Sequence, residues 1–237
     1  MINSRRKSDI DLISEDLRNL LLTIGTPKKT EKGAFLFQEG MDASELYLVK
    51  SGLVQISKLT AEGKELNLRI CKKDDIVGEL ILFSEDAKYM LSAMVLSEGE
   101  VLVLNKEVLE KELMKNNQLT YEFIKWISSH LRAVQSKIID LVLHGKKGAL
   151  FSTLIRFSNS YGVQTKDGIL IDIHLTNQEL AKFCSATRES VNRMLSELRK
   201  NKIIATDESG KITILDIDYL KCSIGCDTCQ IDECHID

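Results

Sequence analysis

The chain has 237 residues, of which 43% are apolar and 28% charged, with a formal net charge of −3 and a single proline, Pro27. That balance suits one or two globular domains with a real core and excludes a protein that is basic throughout, although a local basic face remains compatible with it. The start, "MINSRRKSDIDL", carries charge without an apolar run behind it, and no window reaches the roughly eighteen apolar residues of a membrane span; neither export nor membrane insertion is expected, and the chain is placed in the cytoplasm.

Residues 9–24 read as an amphipathic helix, with Leu12, Ile13, Leu17, Leu20, Leu21 and Ile24 on one stripe and Gly25 and Pro27 at its end. From about Lys32 to Asn105 short apolar runs alternate with turn residues ("AFLFQEG", "ELYLVKSG", "LVQISKLTAEG", "LNLRICKKDD"). Glycines at 40, 52, 63, 78 and 99 punctuate them, so an antiparallel sandwich or small barrel is expected. "KEVLEKELMKNN" suggests short helices, and a long helix follows near 118–143. In it Ile124, Ile127, Leu131, Val134, Ile138 and Leu141 recur at alternating steps of three and four. A heptad seam of this length fits either packing within the domain or a parallel homodimer. His144 to Gly148 breaks the pattern and reads as a hinge. "ALFSTLIRFSNSYG" is a further amphipathic helix and "ILIDIHL" a strand.

"LTNQELAKFCSATRESVNRMLSELRKNKII" holds two short helices, Asn177–Cys184 and Arg188–Asn201. Thr176 and Glu179 form a capping box, and Thr187 can cap the second helix. Leu180 and Phe183 face inward on the first helix; Val191, Met194, Leu195 and Leu198 do so on the second. Arg188, Glu189, Asn192 and Arg193 then face outward near its N-terminus, with Ser190 between them. A major groove admits one helix, whose first turns reach base edges: an arginine can grip guanine O6 and N7, a glutamate can accept from cytosine N4. Arg199, Lys200, Lys202 and Lys211 are placed to meet phosphates. The hairpin "KIIATDESGKITILD", turning at Gly210, makes this a winged helix-turn-helix, in which Ser185 or Ala186 must take the turn geometry often given to glycine.

The last sixteen residues, "CSIGCDTCQIDECHID", hold Cys222, Cys226, Cys229 and Cys234 in the spacing C-x3-C-x2-C-x4-C. In a reducing compartment such a cluster points to metal or redox chemistry rather than structural disulfides. From the spacing alone an iron–sulfur cluster, a structural zinc, a thiol–disulfide switch and the cluster motif of radical enzymes all stay open. His235 is a poor ligand beside Cys234. Cys71 and Cys184 read as small buried hydrophobes. No catalytic constellation or phosphate loop is found, so the chain is not expected to be an enzyme.

The order of roll, long helix and winged helix-turn-helix, with "GELILF" (78–83) and "TRESVNR" (187–193), resembles the Crp/Fnr family of bacterial transcription regulators over nearly the whole chain. The resemblance implies an α+β fold in four parts: an N-terminal helix and cyclic-nucleotide-binding-like β-roll (1–116), a dimerisation helix (117–144), the DNA-binding domain (145–221) and a cysteine-rich tail (222–237). It implies a homodimer that meets RNA polymerase and a palindromic promoter site. In the cyclic-AMP branch a Gly-Glu-Leu loop and an Arg-Ser-Ala stretch hold the nucleotide. Here the loop is Gly78-Glu79-Leu80 but the arginine position holds Leu91, with Lys88 nearby, so cyclic nucleotide is not expected to be the signal. Arg188, Glu189 and Arg193 match the positions that read TGTGA half-sites. The tail resembles that of the Bacillus-type Fnr regulators, which implies a [4Fe–4S] cluster on Cys226, Cys229 and Cys234 with Asp140 as fourth ligand and Cys222 as its competitor. With Ile138 at a and Leu141 at d, Asp140 is at c, free to face outward. The implied function is oxygen-responsive DNA binding; the alternative is a Crp-like regulator with a structural zinc tail and an unknown small-molecule effector in the roll.

Overall fold

The computed structural model describes residues 13–226 and 234–236, and the chain divides into two compact units between Ser129 and His130. The N-terminal unit begins with α1 (Glu15–Ile24). The helix starts later than the apolar stripe suggests, because the Ser14 hydroxyl accepts from Leu17 N–H at 3.2 Å and caps it there. Leu17 and Leu21 are fully buried, and Ile13 is buried ahead of the helix; Leu12 lies outside the described residues.

Six strands form the roll: β1 (Thr26–Thr30), β2 (Phe35–Phe37), β3 (Glu45–Leu59), β4 (Glu65–Cys71), β5 (Ile76–Val77) and β6 (Ser92–Asn105). All pairings are antiparallel, in the order β1-β6-β3-β4, with β2 added on β6 and β5 on β3. The runs that read as separate strands on either side of Ser51-Gly52 are one bent strand, and so are those on either side of Gly99. The register of β3 against β6 shifts at this bend. Gly52 sits at φ +83°, and a Cβ at Gly99 would lie 2.1 Å from the Ser51 carbonyl oxygen, so both positions require glycine for the backbones to approach. The core runs through Leu46, Leu48, Val101, Leu104, Leu109 and Trp126.

α2 (Lys106–Lys115) is followed by α3 (Asn117–Leu143), which passes from one unit into the other. Its two faces differ. Phe123 and Trp126 are buried in the first unit, Ala133 and Lys137 in the second. On the heptad seam, Ile124, Leu131, Val134 and Ile138 are exposed. No helix among the described residues is long and apolar enough to cross a membrane.

In the C-terminal unit α4 (Gly145–Tyr161) begins one residue after α3 ends, so the expected five-residue hinge is His144 alone, and Lys146 to Gly148 are helical. Then come β7 (Gly162–Gln164), β8 (Ile169–Ile171), α5 (Asn177–Phe183), α6 (Arg188–Lys200), β9 (Ile204–Thr206), β10 (Ile212–Ile214) and α7 (Ile217–Ser223). The strands form one antiparallel sheet, β7-β8-β10-β9. The expected strand "ILIDIHL" is shorter than its apolar run, and β7 and α7 are additions to the sequence reading. The Asp216 carboxylate caps α7 by accepting from Tyr219 N–H at 2.9 Å, which puts Cys222 on a helix rather than in a loose tail.

Candidate functional site

The reading head is built as its capping residues dictate. Thr176 Oγ1 accepts from Glu179 N–H at 3.2 Å while Glu179 accepts from Thr176 N–H at 2.6 Å, closing the capping box of α5. Ser185 takes the left-handed conformation (φ +48°) and turns the chain into α6, where Thr187 Oγ1 accepts from Ser190 N–H at 3.2 Å. Leu180, Phe183, Val191, Leu195 and Leu198 are buried between the two helices and their sheet.

That burial leaves Arg188, Glu189, Asn192 and Arg193 exposed on one face. Among the described residues no ion pair engages Arg188, Glu189 or Arg193. Asn177 donates to Asn192 Oδ1 at 3.1 Å. Ser190 is half-buried, and its hydroxyl accepts from that of Thr187, so it belongs to the cap as much as to the outer face. Lys200 and Lys202 are exposed; Arg199 reaches Thr206 Oγ1 at 3.4 Å and Ser196 Oγ at 3.0 Å. Lys211 pairs with Asp172 at 2.7 Å across the base of the wing, so it is less available to phosphate than the sequence suggests.

The tail returns to the end of α3. Cys226 and Cys234 are hydrogen-bonded through their thiols and both feel the charge of Asp140. The hydrogen bond with Cys234 is the main cause that holds the Cys226 thiol below its ordinary range. Partial burial and Asp140 oppose the shift, while Lys221 and Arg156 assist it. The same hydrogen bond and burial push Cys234 up. One thiolate is thus favoured within the pair, the form in which cysteine ligates. Cys222 is exposed on α7, and Cys229 lies outside the described residues. Among the described residues no group of three His, Cys, Asp or Glu side chains closes into a metal site.

Asp140 does not face outward as its heptad position suggests. Its Oδ2 accepts from Arg156 Nη2 at 2.7 Å and from Ser152 Oγ at 2.5 Å, both on α4. Arg156, buried to 1%, also donates to Ser136 Oγ at 2.9 Å and to the His235 carbonyl at 3.4 Å. Asn159 donates to the Cys234 carbonyl at 2.5 Å, and the Ile236 N–H donates to Ser160 Oγ at 3.0 Å, fastening the tail along α4. One helical turn before Asp140, Lys137 lies 4.7 Å over the Phe183 ring of α5. Burial, and then the Arg156 charge, bring its ammonium down to about 7. Cys184 beside it is pushed up to about 11 by burial, as a small buried side chain should be. Sequence reading missed Arg156 and Lys137; the signal for Arg156 was a basic residue inside the apolar run "LIRF".

In the roll, Glu79 of the Gly-Glu-Leu turn is engaged from within. Arg69 Nη2 donates to both of its carboxylate oxygens at 3.0 Å and to the Ile76 carbonyl at 2.9 Å. Gly78, at φ +89°, lets the turn form, and Leu80 points to solvent. Glu79 therefore anchors the roll.

Residues 27–116 match the cyclic nucleotide-binding domain family and residues 149–223 the Crp-like helix-turn-helix domain family. The chain is 64% identical over 234 residues to the anaerobic regulatory protein of Bacillus subtilis, covering 99% of this chain and 98% of that one. It is 30% identical over 200 residues to the lactate racemization regulatory protein of Lactiplantibacillus plantarum, covering 81% and 88%. The fold is similar to a CooA mutant from Carboxydothermus hydrogenoformans (TM-score 0.74, 20% identity, 91% of this chain and 96% of that one). It is also similar to FixK2 from Bradyrhizobium japonicum (TM-score 0.72, 18% identity, 84% and 96%). Regulators of this type bind DNA, form homodimers and are not enzymes. With the roll, the long helix and the winged reading head in this order, the chain belongs to the Crp/Fnr family of DNA-binding transcription regulators.

Proposed function

We propose that the chain is an oxygen-responsive regulator whose tail holds a [4Fe–4S] cluster through Cys226, Cys229, Cys234 and Asp140. The observation that carries this reading is the fastening of the tail beside Asp140: Arg156 bonds both Asp140 and the His235 carbonyl, and Asn159 holds the Cys234 carbonyl. The donor set fits: thiolates are the preferred ligands of such clusters, and Arg156 and Lys221 offset their negative charge. The name of the Bacillus subtilis relative as an anaerobic regulatory protein supports it further. When bound, the cluster would supply an oxygen-labile tie between the tail and α3.

The protein's own residues translate that tie into DNA binding. Asp140 and Lys137 lie on successive turns of α3, the first bonded to Arg156 and Ser152 of α4 and the second facing Phe183 at the end of α5. A change at Asp140 is therefore felt one turn away at the helix that supports α6. Two-state behaviour at such a junction needs only a local event that favours one packing. The exposed seam of Ile124, Leu131, Val134 and Ile138 suits a parallel partner helix from a second copy. Two reading heads would then meet half-sites about one helical turn apart, near TGTGA-N6-TCACA, with Arg188, Glu189, Ser190, Asn192 and Arg193 at the bases. The promoter-bound dimer would meet RNA polymerase in the cytoplasm. Arg69 satisfies Glu79 in the roll, so a cyclic nucleotide would find its sugar-binding carboxylate already paired.

The test is purification without oxygen, an iron assay, and titration of the palindrome before and after air. About four irons per chain, bleaching in air with loss of specific binding, is the expected outcome. A colourless protein with one zinc per chain would replace this reading by a structural zinc clip and return the search for a signal to the roll. Equal binding before and after bleaching would remove the sensing mechanism.

A further inference from the structure

Arg156 is the largest fully buried side chain of the described residues, at 1% exposure, and it sits between three elements. It grips Asp140 and Ser136 of α3, Ser152 of its own helix and the backbone of the tail at His235. Burying a guanidinium costs several kcal/mol unless its donors are met in good geometry. What is uneven is how they meet Asp140. Arg156 and Ser152 both donate to Oδ2, while Oδ1 accepts no hydrogen bond among the described residues. The carboxylate still keeps 18% of its surface exposed, on a site that both Cys226 and Cys234 feel. A carboxylate held by one oxygen, with the other open, has the form of a ligand that binds a metal through a single oxygen. Metal-ligating side chains are commonly fixed in this way by hydrogen bonds to the atom that does not bind.

We propose that Arg156 is the positioning residue for the oxygen ligand of the tail site: it fixes Asp140 through Oδ2 and leaves Oδ1 for the metal. The inference rests on the cluster reading above and adds to it a residue outside the ligand set. Among the described residues its guanidinium is the group that touches both Asp140 and the tail backbone, so it sets the ligand against the thiols rather than only neutralising charge. Lysine in its place can hold one acceptor as a point charge but cannot span Asp140, Ser136 and His235 at once.

Full-length Arg156→Gln, Arg156→Lys, Ser152→Ala and Asp140→Ala, prepared without oxygen, would be compared with wild type. The readouts are iron per chain, visible absorption, half-life in air, and far-ultraviolet circular dichroism with elution volume of the metal-free chains. Arg156→Gln is expected to weaken iron retention or shorten the half-life by about 10- to 100-fold, with Arg156→Lys between it and wild type. Ser152→Ala, which removes the other donor on Oδ2, should show a smaller shift of the same sign. Metal-free spectra and elution should match wild type. A wild-type half-life in Arg156→Gln, with Asp140→Ala impaired, overturns the inference and leaves the cluster reading standing. A colourless wild type removes both. If Arg156→Gln does not fold, Arg156→Lys and Ser152→Ala decide: unchanged half-lives in both overturn the proposal.

Discussion

Arg69 in the roll and Arg156 in α4 are both buried and both face a carboxylate, yet they leave that carboxylate in different states. Arg69 takes both oxygens of Glu79 and a backbone carbonyl, and Glu79 is buried to 5%. Both carboxylate oxygens are thus engaged from within the roll. Arg156 takes one oxygen of Asp140, whose side chain keeps 18% exposure beside two thiols. The first arrangement engages the carboxylate wholly within the roll; the second leaves one carboxylate oxygen without a hydrogen bond among the described residues. The same residue pair serves as a pin in one unit and as a holder in the other, and the number of occupied carboxylate oxygens separates the two.

The sharpest way to break this comparison is to remove the pin. Arg69→Met leaves Glu79 buried without its cation, and losing one partner of a buried pair costs about 3–5 kcal/mol. Urea unfolding of the metal-free protein should show that loss, and cyclic AMP should not raise the midpoint of the wild type. A stable Arg69→Met chain would mean Glu79 is not pinned as described.

Arg188 extends the comparison to an arginine with no carboxylate at all: it is exposed and without an ion pair among the described residues, and the proposed function assigns it to DNA. Arg188→Ala should cost about 1–3 kcal/mol on the intact palindrome, and much less on a site whose contacted guanine has been replaced. Equal losses on both sites would reassign it to phosphate.

The smallest effect tests the neighbourhood of Arg156. An unfolded lysine holds its proton to about pH 10.4, whereas Lys137 in the folded chain releases it near 7. Between those values the unfolded chain binds more protons, so this group makes stability rise with pH; below 7 its full burial penalty is present. Lys137→Met should flatten the rise measured by urea midpoints at about pH 6.5 and about pH 9. Parallel rises in the two proteins would place its source elsewhere.

How much of this the sequence discloses depends on whether the cause is local. The reading head was legible because Thr176, Glu179 and Thr187 are capping signals and the burial of Val191, Leu195 and Leu198 follows helical spacing. Even the turn residue, Ser185 or Ala186, was narrowed to two, and Ser185 takes it. The unity of β3 and β6 was hidden, because Gly52 and Gly99 signal a turn in sequence and permit a bend in the sheet. The shortness of the break at His144 was hidden too: Gly145 does take a left-handed φ of +59°, but Gly148 lies within α4, where a Cβ would come 2.1 Å from the His144 side chain and 3.3 Å from Ile224, so that glycine serves close packing. For Asp140 a heptad position predicted the wrong neighbour, since α4 turns back on α3 and covers the c position. Arg156 stood out only as a basic residue in an apolar run; its partners, up to 79 residues away, could not be read.

The tail is fastened to α4 through its backbone, by Asn159 on the Cys234 carbonyl and Ser160 on the Ile236 N–H, and not through its thiols. On the proposed cluster reading, the consequence would be a chelate effect built in before any ion arrives. Cys226 is fixed to the end of α7 by its N–H on the Lys221 carbonyl, so both ends of the segment from Cys226 to Cys234 are held. The configurational entropy of bringing two distant sulfurs together, which would otherwise weigh against capture, is lost during folding instead. If the tail takes the proposed cluster, Cys226 and Cys234 would offer a two-toothed ligand whose bite is set by α4 and α7.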